Sequence, residues 1–426
     1  MLGETLSYRF WRWIVLASVV WWLAGFNLFI YHLASFFLFM GLLYLSNRSS
    51  EGVIVPVSSK FMLNIAVFYF LSILLHTFFV GADGARVIAA MYNLSFWIMG
   101  FMLVIVMANA YSSIELDPFL KVFTRLAWIT GGIAVAMLVL WKTGRRELII
   151  ETPLYPLIRV LGDTQLVQSS LLVRPLLMDW FASGARPRFN VFSPYPTAAG
   201  AILMIILIML ATRAAIERKS LSLVFLGLFA ANFLGLFMTL SRMSILAFVF
   251  GFFVVFILQK KNVPMWIFIM FAVTLLLTPL LIRLLEYMLS LREGSNSVRM
   301  QLYLYSLQQL KGVDWILGFG VKPRGEAFIF PLGSHSTYIS MLFKCGIIGL
   351  IILVGFQVSL LWRWYFLKSR ACQKRRDFLF WRGLGWVFVA LGLWIFTEDI
   401  DAPQMLAFLY FSMIGVFEGF RRRLMA

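Results

Sequence analysis

Long apolar stretches separated by short polar loops dominate the sequence. A membrane-spanning helix needs about 20 mostly apolar residues, because the hydrocarbon core of a bilayer is about 30 Å thick. The pattern predicts twelve such helices, at 10–25, 28–46, 62–81, 87–109, 126–141, 196–212, 221–239, 243–259, 264–282, 337–362, 383–397 and 403–419. Only a short gap around Asn27 divides the first two. The fold class predicted is therefore an all-α polytopic membrane protein.

The distribution of lysine and arginine predicts the orientation of these helices, because short cytoplasmic loops are enriched in both residues. With the N-terminus inside, basic residues fall in alternate loops, as in "KSRACQKRR" at 368–376 and "RRRL" at 421–424. The short loops on the other side hold only Arg86, Arg242 and the acidic stretch "EDIDA" at 398–402. Both termini are therefore predicted to be cytoplasmic, and the N-terminal stretch is interpreted as a retained first span.

Two long segments, 142–195 and 283–336, are predicted to lie on the outer, periplasmic side. Each has about 50 residues, a length at which loops are usually functional or disordered. In the first, "YPLIRVLGDTQLVQSSLLVRPLLMDWF" has a helix-like apolar spacing and is predicted to lie along the membrane surface. In the second, "SVRMQLYLYSLQQLKG" predicts an amphipathic helix that ends at Gly312. The whole chain, 1–426, is interpreted as one integral membrane domain.

Composition agrees with a membrane protein and restricts its partners. Of 426 residues, 62% are hydrophobic and 13% are charged, whereas soluble domains are about half apolar and about a quarter charged. The formal net charge of +18 is attributed to cytoplasmic loops that face anionic lipid. No basic stretch has the pattern of a nucleic-acid-binding fold. Cys345 and Cys372 lie at different levels of the predicted topology, so we expect neither a disulfide nor a cysteine metal site.

Arginines are the first candidate functional residues on the outer side. Arginine suits a bidentate grip on phosphate or diphosphate, although each of these residues could equally be a solvated surface charge. Arg242 differs because it occupies the tight turn "TLSR" between two apolar helices, where an unpaired charge is costly. The candidate arginines within the two long segments are Arg159, Arg174, Arg186, Arg188, Arg292, Arg299 and Arg324.

The chain has three histidines, and they differ in their surroundings. His32 and His76 lie within apolar runs and are interpreted as interhelical residues. His335 lies at the start of an apolar run, on the same predicted side as the arginines. It is either a general base, because histidine titrates near neutral pH, or a helix N-terminal residue beside a serine N-cap, Ser334 or Ser336. No carboxylate cluster accompanies the histidines, so no metal site is predicted.

Four stretches resemble the O-antigen ligase and O-antigen polymerase superfamily of bacterial envelope glycosyltransferases. Their order and spacing resemble that family from about 186 to 362, which we take as a ligase-like or polymerase-like core. The stretches are "RFNVFSPYPTAAG" with Arg188, "TLSRMSILAFVFGF" with Arg242, "SVRMQLYLYSLQQLKGVDWILGFG" with Arg299, and "GSHSTYISMLFKCGIIGL" with His335 and Tyr338.

The resemblance implies a GT-C-like fold and metal-independent, cofactor-free glycosyl transfer on the periplasmic face of the bacterial inner membrane. The donor would be a glycan on undecaprenyl diphosphate, the acceptor a glycan or lipid A–core, and a chain-length regulator is a candidate partner. By similarity, His335 would be the general base. Arginines can supply the charge compensation that a departing diphosphate needs. By the same resemblance, Arg188, Arg242 and Arg299 would hold the diphosphate, with Arg186, Tyr338 and Lys344 as further candidates.

Three functions remain open at this point. His335 is followed by Ser336, which resembles polymerases, whereas a ligase would be expected to have His-Asn. A transporter of the same lipid-linked sugars would predict inverted repeats and ionisable groups near mid-membrane. Lys344 is the main residue of that kind, and it either lines a cavity or pairs with a carboxylate that the sequence does not identify.

Overall fold

A computed structural model shows a bundle of apolar helices with one small sheet. It describes residues 2–49, 52–81, 83–110, 116–160, 165–178, 186–218, 222–260, 262–266, 282–283, 286–287, 290, 293–323 and 331–426. The helices that precede the first outer segment are α1 (Leu2–Leu16), α2 (Ser18–Ala24), α3 (Ile30–Ser49), α4 (Val57–Phe79), α5 (Gly84–Ala110) and α6 (Leu116–Lys142). The first predicted span, 10–25, is thus two short helices, α1 and α2.

The first outer segment contains two short helices, α7 (Tyr155–Arg159) and α8 (Gln165–Leu171). Three apolar helices follow it: α9 (Pro196–Glu217), α10 (Leu223–Met238) and α11 (Arg242–Leu258). The second outer segment contains α12 (Glu293–Gln309) and α13 (Asp314–Leu317). The chain then continues through α14 (Thr337–Phe366), α15 (Lys368–Ala371), α16 (Arg375–Trp394) and α17 (Gln404–Met425).

The centre of the bundle is formed by α9 and α17. Every residue of α9 from Ala198 to Met209 is buried, and so is every residue of α17 from Gln404 to Phe420. Helices α6, α10, α11 and α16 pack around α9, while α5 packs along α17. Apolar residues all round a helix are typical of a span enclosed by other helices, and this explains the uninterrupted apolar sequence of α9.

Seven of the described helices are long and apolar enough to cross a membrane, namely α3, α4, α5, α6, α9, α14 and α16, and α10 and α11 are shorter apolar helices. The predominantly helical architecture with several candidate membrane spans is therefore confirmed. The count of twelve spans is not confirmed. Within the predicted span 264–282, residues 267–281 lie outside the described residues.

The first outer segment also forms a sheet that the sequence analysis did not predict. Strands β1 (Leu148–Glu151), β2 (Leu172–Met178) and β3 (Pro187–Phe189) pair antiparallel in that order. The predicted helical conformation is correct for α7 and α8 but wrong for 172–178. Pro175 lies within that stretch and cannot donate a helical hydrogen bond, while β1 and β3 provide backbone partners on both sides.

A buried cluster around Glu418 marks one end of the bundle. The side chain of Glu418 accepts hydrogen bonds from Ser58, at 2.5 Å, and from Arg363. These residues lie near the start of α4 and near the ends of α14 and α17. The opposite end therefore holds the start of α14, the start of α17 and the end of α4. The two outer segments contact that opposite end.

Helix α14 is interrupted at Gly346, whose φ of 61° and ψ of −163° are not helical. The carbonyl groups of Phe343 and Lys344 accept hydrogen bonds from the N–H groups of Phe319, at 2.7 Å, and Gly320, at 2.9 Å. Residues 318–320, which we call the glycine wedge, thus fill the break. A Cβ atom on Gly318 would lie 2.4 Å from the Lys344 carbonyl carbon, so only glycine permits this approach.

Replacing Gly320 with alanine is expected to destabilise the protein. Its φ is +67°, and a Cβ atom would lie 2.5 Å from the backbone nitrogen of Ile73 on α4. Left-handed strain and the clash together should lower the free energy of unfolding by about 2 kcal/mol or more. Thermal unfolding of the detergent-solubilised protein measures this. The control is Gly227→Ala in α10, where no atom lies within 4 Å of the added carbon, and an unchanged midpoint for Gly320→Ala would contradict the packing described.

Candidate functional site

The first turn of α14 is fastened to the loop between α16 and α17, which we call the acidic loop (residues 395–403). The Thr337 N–H donates to the carbonyl of Ile395 at 2.9 Å, and the Thr337 hydroxyl donates to the carbonyl of Glu398 at 2.8 Å. In return, the N–H of Ile400 donates to the Thr337 hydroxyl at 3.0 Å. The Ser336 hydroxyl accepts from the Ile339 N–H, so Ser336 is the N-cap of α14.

His335 lies immediately before this cap, in a conformation that a residue other than glycine seldom adopts. Its φ is +65°, and its carbonyl accepts a hydrogen bond from the Tyr303 hydroxyl of α12. Its Nδ1 atom lies 3.9 Å from Oε2 of Glu398, and 23% of its side chain is exposed. The ring therefore has a carboxylate on one side and some access to the outside, which is the arrangement of a base with an orienting partner.

Arg299 of α12 holds the same carboxylate from another direction. Its Nη2 donates to Oε1 of Glu398 at 2.6 Å, and its Nη1 donates to the carbonyl of Thr397 at 3.1 Å. Burial opposes ionisation of Glu398, but the charges and hydrogen bonds of Arg299 and His335 outweigh it and lower the pKa of Glu398 to about 2. Glu398 is therefore a carboxylate at neutral pH.

Two more ion pairs attach the acidic loop to other segments. Lys322, just beyond the glycine wedge, donates to Asp399 at 3.0 Å. The pKa of Lys322 is lowered to about 8, mainly because the side chain is buried. Lys344 is fully buried and donates to Asp401 at 2.6 Å, while Trp97 of α5 donates to the same carboxylate at 3.2 Å. Of the two interpretations of Lys344, pairing with a carboxylate is thus the correct one.

The sequence analysis missed the three acidic residues of this loop as parts of the site. Each pairs with a cation from a different part of the chain. The available signal was the stretch "EDIDA" itself, because it is acidic and lies on the predicted side that gathers arginines. The acidic residues could be read from the sequence, but their cationic partners could not.

Arg188 and Arg242 both adjoin the turn at 239–241. Arg188 is buried on β3, and its Nε donates to the carbonyl of Thr239 at 2.8 Å. Arg242 begins α11 directly after this turn. The turn packs closely on α9, where a Cβ atom on Gly200 would lie 2.8 Å from the Ser241 Cβ. Arg188 therefore fixes the turn from which Arg242 projects.

Tyr195 begins a helix whose first turn lies beside the turn at 239–241, since Ser244 bonds the carbonyl of Thr197. It is the N-cap residue of α9, seven positions after Arg188 in the chain. Burial is the main cause that raises the pKa of its phenol, and the charges of Glu398 and Asp399 raise it further. Arg375 at the start of α16 donates to the carbonyl of Ala215 near the end of α9, at 3.2 Å. The start of α9 and the acidic loop, which follows α16, therefore lie at the same end of the bundle. Arg188, Arg242, Arg299 and His335 belong to that end.

The remaining candidates are placed as follows. Arg186 is exposed just before β3, and Tyr338 packs its ring on Phe396 with centroids 4.4 Å apart. His32 packs edge-on against Phe96, as the interhelical interpretation expected. Arg292 and Arg324 lie outside the described residues. Within the part of the chain that the structure describes, no group of three or more His, Cys, Asp or Glu side chains is arranged to hold a metal ion.

Part of the chain matches a known protein family. Residues 226–354 match the family model described as O-antigen ligase. The match includes Arg242, Arg299 and His335, lies within the predicted core 186–362, and confirms the resemblance to the O-antigen ligase and polymerase superfamily. Arg188 and the acidic loop lie outside the matched residues. Comparison with curated proteins found no match.

Proposed function

We propose, from the premise that residues 226–354 carry an O-antigen ligase domain, that the protein is an envelope polysaccharide polymerase of the bacterial inner membrane. It transfers a glycan from undecaprenyl diphosphate to a hydroxyl group of an acceptor sugar on the periplasmic side. The observation that carries the proposal is the arrangement of His335, Glu398 and Arg299, in which a partly exposed imidazole faces a buried, ionised carboxylate.

In the proposed reaction His335 is the general base. The acceptor hydroxyl oxygen attacks the anomeric carbon of the donor, and its proton passes to Nε2 of His335. The bond from that carbon to the diphosphate oxygen breaks, and the diphosphate leaves with the electron pair. Glu398 faces Nδ1, so it orients the ring and stabilises the imidazolium that forms. The 3.9 Å separation exceeds a hydrogen bond, and such contacts often tighten only when substrate binds.

Arginines are proposed to bind the leaving diphosphate. Arg188 and Arg242 share the turn at 239–241, and Arg186 lies two residues before Arg188 with an exposed side chain. Positive charge placed where the diphosphate develops its negative charge lowers the barrier. Arg299 donates to Glu398 and Thr397, so its first task in this proposal is to position Glu398 and, through it, His335.

Arg299→Lys is expected to lose at least about tenfold in transfer rate, which corresponds to about 1.4 kcal/mol. Lysine lacks the planar fork that serves two acceptors at once, here the Glu398 carboxylate and the Thr397 carbonyl. Transfer by purified protein in nanodiscs measures the effect. Arg159→Lys is the matched control, because Arg159 of the first outer segment contacts only the ring of Tyr155 among its described interactions. Full activity of Arg299→Lys would mean that the contacts of Arg299 with Glu398 and Thr397 do not contribute to transfer.

Two alternatives remain to be separated from a polymerase. A ligase would use the same site to transfer the finished glycan to lipid A–core, and the preference for polymerase rests on the His335-Ser336 pair. A transporter would be favoured by ionisable groups near mid-membrane. The buried ammonium of Lys344 instead pairs with Asp401 in the acidic loop, at one end of the bundle, which argues against transport.

The experiment that tests the function is the envelope glycan profile of a deletion strain, complemented with wild type and with His335→Ala. A polymerase predicts loss of the long ladder with single repeat units still attached to lipid A–core. A ligase predicts loss of every attached unit, with long glycan accumulating on undecaprenyl diphosphate. An unchanged profile in the deletion strain would refute both.

A further inference from the structure

We propose that Lys344 is a positioning residue, which fixes the acidic loop so that Glu398 faces His335. This inference rests on the proposed function, since it names what holds the partner of the general base in place. Lys344 lies nine residues after His335, and none of its side chain is exposed. A buried ion pair adds little net stability, because taking two charges out of water costs about as much as their attraction returns. Stability alone therefore does not account for an ammonium at this depth.

Helix α14 holds the acidic loop at two levels. At the first level, the Thr337 hydroxyl bonds the carbonyl of Glu398 and the N–H of Ile400. At the second level, the Lys344 ammonium donates to Asp401, the next residue of the loop, at 2.6 Å. Thr337 and Lys344 are seven residues apart, which is about two helical turns and about 10 Å of rise, so both lie on one face of the helix. The loop therefore lies along that face, with the Glu398 carbonyl at the level of the first turn.

The glycine wedge completes a closed ring of bonds through Lys344. The carbonyl of Lys344 accepts from the Gly320 N–H at 2.9 Å, so the wedge holds the backbone of Lys344 while its side chain holds the loop. Lys322, two residues after Gly320, donates to Asp399 at 3.0 Å. Asp399 lies two residues before Asp401, which closes the ring. The loop therefore cannot move relative to α14 unless one of these bonds breaks.

The position of the loop sets the distance between Glu398 and His335. Nδ1 of His335 lies 3.9 Å from Oε2 of Glu398, which is about 1 Å beyond the usual length of a hydrogen bond. A shift of about 1 Å therefore decides whether the two groups bond, and a misplacement of that size can cost about 100-fold in rate. Arg299 fixes the Glu398 carboxylate to α12, whereas Lys344 fixes the loop to α14, the helix that His335 precedes. Both attachments are needed to place the carboxylate against the ring.

Lys344→Met combined with Asp401→Asn tests the proposal. The two changes remove both charges, and asparagine retains an oxygen for the indole N–H of Trp97. We expect kcat for glycan transfer to fall by about tenfold or more and KM to change by less than about twofold, because the lost interaction acts in the transition state. In a Glu398→Gln background the same changes should cost less than about twofold further, since Lys344 acts through Glu398. Equal losses in both backgrounds, or an unchanged kcat, would overturn the proposal.

Arg363→Met combined with Glu418→Gln is the matched control. This pair also attaches α14 through a buried carboxylate, but it lies at the opposite end of the bundle. It should lower the unfolding temperature without lowering kcat, and an equal loss of kcat in this control would overturn the proposal. If the Lys344 variant cannot be recovered as folded protein, Lys322→Gln combined with Asp399→Asn takes its place with the same expectations, because it exchanges the other ion pair of the ring for a neutral pair.

Hydrogen exchange tests the attachment of the loop without any transfer reaction. The N–H of Ile400 is bonded to Thr337, so in nanodiscs the peptide that contains residues 395–403 should exchange about tenfold faster in the Lys344 variant than in wild type. The Arg363 control should leave this peptide unchanged. Unchanged exchange in the Lys344 variant would overturn the proposal even if kcat fell. Faster exchange, in a protein whose wild type transfers no glycan, would support the attachment of the loop by Lys344 while refuting the proposed function.

Discussion

Replacing His335 with alanine is expected to reduce glycan transfer by about 100-fold or more, the contribution typical of a general base. The protein should remain folded, because two contacts at this position do not depend on the imidazole. Ser336 supplies the N-cap of α14. Tyr303 bonds the backbone carbonyl of His335, which alanine retains. The ring itself faces Glu398 and the outside, so its removal should affect the reaction more than the fold.

The measurement is the rate of transfer by purified His335→Ala in nanodiscs, compared with the amount of monodisperse protein recovered. His76→Ala is the matched control, since His76 lies near the same end of the bundle and packs its ring on that of Phe319 rather than facing Glu398. We expect it to retain transfer. A wild-type product from His335→Ala would exclude His335 as the general base. If His335→Ala cannot be recovered as folded protein, His335→Gln takes its place in the assay, because glutamine keeps a polar side chain of similar length.

Glu398→Gln is expected to affect both catalysis and stability. Glutamine retains an oxygen that can accept from Arg299, but it cannot stabilise an imidazolium at His335 or neutralise a buried guanidinium. Removing one partner of a buried ion pair costs about 3–5 kcal/mol, and the side chain of Glu398 is only 5% exposed. We therefore expect a lower unfolding temperature and a kcat reduced by about tenfold or more, with a smaller change in KM, because the lost interaction forms in the transition state.

The pH dependence of stability gives a separate test of Glu398. Its pKa falls from an ordinary 4.5 to about 2 in the folded protein. A carboxyl group whose pKa is depressed on folding contributes stability above its unfolded pKa, and that stability is lost as pH falls through the folded value. The contribution is on the order of 3 kcal/mol. The unfolding temperature of wild type should therefore fall between about pH 4.5 and pH 2, and Glu398→Gln should fall less steeply.

The control for this titration is Asp83→Asn, which removes an exposed carboxylate beside the start of α5. It should retain the wild-type pH dependence. If Glu398→Gln shows the same slope as wild type, the ion pair with Arg299 does not contribute to acid stability, and the role of Glu398 as the fixed partner of His335 would lose its support.

The hydrophobic pattern by itself determined where most helices lie. A span needs about 20 apolar residues, and few alternatives satisfy the backbone in a bilayer. The prediction at 196–212 corresponds to α9 (Pro196–Glu217), and the one at 87–109 corresponds to α5 (Gly84–Ala110). The helix at 297–312 also agrees with α12 (Glu293–Gln309). Helices are encoded locally, because each backbone bond joins residues four apart.

Part of the candidate site was also apparent in the sequence. Long outer segments, arginines and a histidine at a helix start are local features, and His335, Arg299 and Arg242 were singled out from them. The structure brings these residues to one end of the bundle. Their catalytic and binding roles stay predictions, which the variants described above are designed to test.

Only the tertiary structure decided the contacts between distant parts of the chain. Strand β2 was mistaken for helix because its partners, β1 and β3, are separated from it in sequence. The break in α14 depends on the wedge, which contributes the N–H groups that fill it. Glu398 was overlooked because its partner Arg299 lies 99 positions away. Strand pairing, wedge packing and buried ion pairs join residues that have no fixed spacing, so they leave no periodic signal along the chain.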